Sequence, residues 1–131
     1  MEHVNWLAVV VAAAGSFVLG GLWYSPAMFG RAWVREAQDT RQLDSGHGAK
    51  VFVVSFVFSL IAAASFAWWV GPEPPLLHAL GHGLLAGAGM VATSFGINYQ
   101  FAGRSVLMWL IDGGYHTVQF LIFGLVLGLW H

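Results

Sequence analysis

The sequence predicts an all-α integral membrane protein with four transmembrane helices, and three observations carry that prediction. Only 8% of the 131 residues are charged, against about 25% in soluble domains, so too few ionic side chains are present to coat a surface in water. Four apolar stretches each reach the length of about 20 residues that a helix needs to cross the hydrocarbon core. The basic residues Arg31, Arg35, Arg41, Lys50 and Arg104 all fall in alternate connections between those stretches, as expected for a chain that crosses repeatedly.

The first span is expected over residues 6–24. Its leading "MEHVN" has no Lys or Arg, and it runs into a bulky "LWYSP" rather than small residues. It therefore predicts a retained helix and not a cleaved signal peptide. Ser25-Pro26 stops it, because proline has no N–H to donate and clashes with the preceding turn. In the loop that follows, Phe29, Trp33 and Ala37 recur at helical spacing, with Arg31, Arg35, Gln38 and Arg41 on other faces. That pattern predicts a short amphipathic helix lying at the membrane interface, the alternative being a solvated connector.

The second span is expected over 51–70, closed by the stiff turn "GPEPP" (71–75). The third covers 77–99 and ends in "QFAGRS" (100–105), and the fourth covers 106–130. Residues 1–131 then form one four-helix domain. All five cations lie on one face of the membrane. The positive-inside rule makes that face cytoplasmic, with both termini outside, and a bacterial cytoplasmic (inner) membrane is the expected location. Trp6, Trp68, Trp69 and Trp130 would mark the outer interface; Trp23, Tyr24, Trp33, Tyr99 and Trp109 would mark the inner one.

Composition also excludes functions. A net charge of −1 gives nucleic acid no electrostatic purchase. Without cysteine there are no disulfides, thiolate nucleophiles or thiolate metal sites. The chain has no nucleophile elbow, phosphate-cradling loop or paired acids, so an enzyme is the less favoured reading.

Small residues recur every four positions: Ala12, Ser16 and Gly20; Ser55, Ser59 and Ala63; Gly83 and Gly87; Gly124 and Gly128. Such stripes let helix backbones approach closely in lipid, within one subunit or between subunits. A short internal repeat is also visible. "GLWYSPAMFGR" (21–31) and "GINYQFAGR" (96–104) share Gly, two residues, Tyr, and then Gly-Arg. Two parallel two-helix halves would account for it, and so would chance.

The fourth span contains the chemistry. Asp112, His116 and Gln119 stand at i, i+4 and i+7 on one face, flanked by Tyr115. A charged aspartate in mid-span costs roughly 2.5–3.5 kcal/mol, so Asp112 must face protein or water. Candidate partners are His116 one turn away, Asn98 and Ser94 on the third span, Tyr24 and Ser25 at the end of the first, and Arg104 folding back from the third loop. Gly113-Gly114 either admits a neighbouring backbone or loosens the helix for a ligand. Two readings stay open: a polar pocket whose acid and histidine respond to protons or substrate, and an interhelical clamp that ties the bundle together. On the opposite side, His78 and His82 sit one turn apart and could share a metal, with His3 and His131 at the termini on that side, no cysteine, and only Glu2 or Glu73 as a carboxylate to complete the set. His47 reads as plain loop.

The motifs "GGLWYSPAMFGRAW" (20–33), "INYQFAGRS" (97–105) and "LIDGGYH" (110–116), with Asn5 opening the first span, resemble the membrane family catalogued as domain of unknown function 1761. The resemblance covers nearly the whole chain and implies a four-helix integral membrane protein. It implies signature positions at Trp23, Tyr24, Ser25, Pro26, Asn98, Tyr99, Arg104, Asp112, Tyr115 and His116, brings no activity with it, and leaves His78 and His82 outside the pattern.

The leading expectation is a small transporter or channel-like protein, a homo-oligomer in the lipid bilayer that handles a small molecule, ion or lipid. Asp112 and His116 would respond, and Asn98, Tyr24, Tyr115, Arg104, Gln119 and Ser94 would shape the pocket. The alternatives are a protein or enzyme that binds lipid, quinone or haem, and a structural partner subunit held by a polar clamp. No cofactor is specified by the sequence.

Overall fold

The structure, a computed structural model, describes residues 4–37 and 48–130. Five helices make up the described chain: α1 (Trp6–Trp23), α2 (Gly30–Ala37), α3 (Ala49–Val70), α4 (Leu76–Ala102) and α5 (Val106–Leu129). All except α2 are long and apolar enough to cross a membrane, at 18, 22, 27 and 24 residues. Those lengths correspond to about 27–40 Å of helix, against a hydrocarbon core of about 30 Å.

Local chemistry sets the ends. The Asn5 side chain accepts the Ala8 N–H at 3.1 Å and caps α1, and Ser105 caps α5 by accepting the Met108 N–H at 3.1 Å. Helix α4 runs three residues past its expected end. Gln100–Ala102 stay helical, and the chain reverses only at Gly103, where φ is +70°. There the Arg104 N–H bonds to the Tyr99 carbonyl at 3.0 Å, a left-handed glycine closure. A polar Gln100 looks like a loop in sequence, yet it costs nothing at the end of a helix. A Cβ at Gly103 would touch nothing within 4 Å, so Gly103→Ala isolates the backbone cost. It is expected to remove about 1 kcal/mol of stability, read as a lower thermal unfolding midpoint in detergent.

The expected helix in the first loop is present as α2, while Gln38 and Arg41 lie outside the described residues. Its buried positions are Gly30 and Val34, so one face packs on protein, against α5, rather than only on the interface. Gly30 makes the tight entry possible: its N–H bonds to the Ser25 carbonyl at 3.0 Å, and a Cβ would stand 2.1 Å from the Tyr24 oxygen.

Helix α5 is the hub of the bundle, touching every other helix, and α3 packs chiefly on α1. The small-residue stripes meet within the chain. A Cβ on Gly83 would lie 2.5 Å from the Phe120 carbonyl, and one on Gly124 would lie 2.5 Å from that of Ala79. Gly87 and Gly128 extend the same α4–α5 seam at 2.7 and 2.9 Å from Thr117 and Leu76. Between α1 and α3, the buried Ser16 and Ser59 hydroxyls stand 3.4 Å apart, with Ala12 and Ala63 buried beside them. Phe66, Phe120 and Phe123 form an aromatic layer with ring centres 5.1–6.1 Å apart. Phe123 is fully buried.

One stretch of α4 departs from α-geometry: Leu85–Ala92 forms a π-helical segment. No sequence signal predicted it. Arg31, Arg35, Lys50 and Arg104 are all exposed at one end of the bundle; Arg41 falls outside the described residues.

Candidate functional site

Asp112 lies near the cation-bearing end of α5 and is only 5% exposed. A buried carboxylate needs donors, and three separate segments supply them. Tyr24, just past α1, donates its hydroxyl to Oδ1 at 2.5 Å. Trp33 on α2 donates its indole N–H to Oδ2 at 3.2 Å. The Tyr99 hydroxyl on α4 donates to the same Oδ2. A carboxylate that only accepts uses all three donors without conflict.

The neighbouring aromatics are committed in the same way. Trp23 donates to the Ile111 carbonyl at 2.9 Å, Trp109 to that of Ala92 at 2.8 Å, and Tyr115 to that of Ser16 at 3.1 Å. Trp23 and Trp109, which read in sequence as part of an interfacial belt, therefore act as interhelical donors. The diglycine accommodates neighbours: a Cβ on Gly114 would come 3.1 Å from the Trp23 ring, and one on Gly113 would come 3.2 Å from Ala92.

Asp112 and His116 share a face of α5 but no hydrogen bond. His116 instead donates from Nδ1 to the Gln119 side-chain oxygen at 2.7 Å. Its ring stacks on Phe95 at 5.0 Å and 17°, and meets Tyr115 edge-on at 4.8 Å. Gln119 is buried and His116 half-buried. Tyr115 links the two groups, touching the Tyr24 ring at 5.6 Å. Just beyond Gln119 along α5 lies the Phe66–Phe120–Phe123 layer, so polar core gives way to apolar core within one turn.

Three candidates stay apart from this cluster. Asn98 is exposed, because Tyr99 occupies the face of α4 that meets α5. Ser94 is exposed and returns its hydroxyl to the Met90 carbonyl at 2.7 Å. Arg104 is exposed, and among the described residues it forms no ion pair with Asp112.

Trp33 and Tyr99 are site residues that the polar pattern alone did not select. For Tyr99 a signal existed: the repeat aligns it with Tyr24, and the two equivalent tyrosines meet on opposite oxygens of one carboxylate. For Trp33 there was none, since nothing in the first loop says that α2 docks on α5.

At the far end, the His78 and His82 rings lie 4.1 Å apart, with Trp69 4.6 Å from His82. The His82 Nδ1–H donates to the His78 carbonyl at 2.9 Å. Among the described residues no third His, Asp or Glu joins them to form a metal-binding group; His3 and His131 lie outside the described residues.

No curated protein and no solved structure matches the chain. The sequence model of the family described as "Protein of unknown function (DUF1761)" matches residues 7–128, and the chain, with its four helices long and apolar enough to cross a membrane, belongs to that family.

Proposed function

We propose that the protein is a structural membrane subunit whose polar centre is a clamp. Asp112 ties α1, α2 and α4 to α5, and the outward helix faces engage a protein partner, in the first instance a second copy of the chain. The observation that supports this most is the donor set on Asp112: three donors from three segments leave the buried carboxylate no need of water or a ligand. A second support is the aromatic layer, which caps the polar core instead of continuing it toward the other side. In this reading α2 and the third loop face the cytoplasm, because Arg31, Arg35, Lys50 and Arg104 gather at that end, and the bilayer is a bacterial inner membrane.

Asp112→Asn is the direct test. The amide nitrogen would face one set of donors with a donor, so the bundle should loosen. Expected are a lower unfolding midpoint and weaker assembly by crosslinking in proteoliposomes. Any pH-dependent ion or solute flux should be the same for variant and wild type. Loss of flux in a variant that keeps its fold and assembly would overturn the clamp and favour a transporter.

One observation favours that second reading. His116 is half-buried and, with Nδ1–H spent on Gln119, keeps its Nε2 lone pair available in the neutral ring. In a carrier it would be the proton- or substrate-responsive group. His116→Ala should then flatten the pH dependence of flux between about pH 5 and 8, and it should also lower the unfolding midpoint, because the buried Gln119 loses its partner. An unaltered pH profile removes His116 from that role.

A further inference from the structure

The end of the bundle opposite the arginines contains a partly open cavity of about 190 Å³. It sits between the start of α1, the α3–α4 turn and the end of α5. Val4, Ala67 and Leu127 form a buried apolar floor, and Asn5, Glu73 and Trp130 stand at the walls. Its volume equals that of about six liquid waters.

Charge at this end is one-sided. Neither the second loop nor the chain near either terminus contains Lys or Arg, and among the described residues Glu73 has no ion-pair partner. The backbone that holds Glu73 is also unusual. Its φ is +45°, in the left-handed region that side-chain-bearing residues avoid, although it precedes a proline, which favours extended geometry. Pro72, Pro74 and Pro75 stiffen the same turn. Strain of this kind persists only where surrounding structure enforces it, and it concentrates at ligand sites.

We propose that this cavity binds an organic ammonium group, with Glu73 as counter-charge and the Trp130 indole as the aromatic wall. The chemistry selects against a hard metal ion, which needs six or more oxygen ligands; here one carboxylate stands among prolines and aliphatic side chains. A weakly hydrated ammonium needs only a counter-charge, apolar contact and an aromatic face. Such a group arrives either on a zwitterionic lipid headgroup or on a free small amine.

The test titrates choline chloride into the purified full chain in nonionic detergent by calorimetry. 3,3-Dimethylbutan-1-ol, the neutral isostere, is titrated in parallel. Saturable choline binding is expected, with the isostere about tenfold weaker or worse. Glu73→Gln and Trp130→Leu should each weaken choline by a similar factor. Equal affinity for choline and isostere, absence of saturable choline binding, or unchanged binding in folded Glu73→Gln protein would overturn the proposal. The comparison of choline with isostere on the wild-type chain decides it even if a variant fails to fold. Extraction from bilayers of mixed phosphatidylcholine and phosphatidylglycerol then identifies the source. Phosphatidylcholine retained by the wild type and lost from Glu73→Gln marks a lipid headgroup site. Choline binding without such retention marks a site for a free amine.

Discussion

Asp112→Ala is expected to cost about 3–5 kcal/mol of folding stability in detergent, measured by reversible denaturation. The side chain removed is small; the groups left behind carry the cost. Tyr24, Tyr99 and Trp33, all half-buried, each lose their acceptor, and an orphaned donor shielded from water costs about 1–3 kcal/mol. Rotation of the two hydroxyls toward other acceptors keeps the sum below the upper limit. Removing the donors as well should have the opposite effect. Adding Tyr24→Phe and Tyr99→Phe to the alanine variant removes two of the three orphans and should recover part of the loss, a coupling that double-mutant cycles of Asp112→Ala with each tyrosine in turn read directly. An Asp112→Ala variant within about 0.5 kcal/mol of wild type would mean that the carboxylate is not a clamp.

The second large effect belongs to the glycine seam. Gly124→Val should destabilise the bundle by about 2–3 kcal/mol, because even the first added carbon would stand 2.5 Å from the Ala79 carbonyl, and that atom belongs to backbone. Helices α4 and α5 must separate to admit it, and the Gly83, Gly87 and Gly128 contacts loosen with them. Gly81→Ala supplies the control on α4: nothing lies within 4 Å of its Cβ, and alanine is the better helix former by about 1 kcal/mol. It should be neutral or mildly stabilising. If both substitutions behave alike, the close approach of α4 and α5 is not what holds the bundle.

The helices themselves were legible because a span leaves a long apolar signature that needs no partner. The small-residue stripes were legible for the same reason, though not which stripe faced which. In lipid, apolar side chains are at home on every face of a helix, so hydrophobic periodicity stops distinguishing inside from outside. Part of the candidate site was lost with it. Polarity alone pointed to Asn98 and Ser94, while the donors that reach Asp112 are amphipathic aromatics, which resemble an interfacial belt. Tyr24 and Trp33 lie 88 and 79 residues from Asp112. Contacts at that range are set by how helices dock, and docking is written in the seam rather than in the site.

The π-helical stretch of α4 has a consequence for protein engineering. A segment bonded i to i+5 holds more residues per turn than the α-helix on either side. Removing one residue between Leu85 and Ala92 lets the ladder fall back to the ordinary pitch. The flanking seam, with Gly83 on one side and Tyr99 on the other, then keeps its register across the deletion. Helix α4 thus contains its own slack: it is the span in which the length of the chain and the alignment of its ends can vary independently.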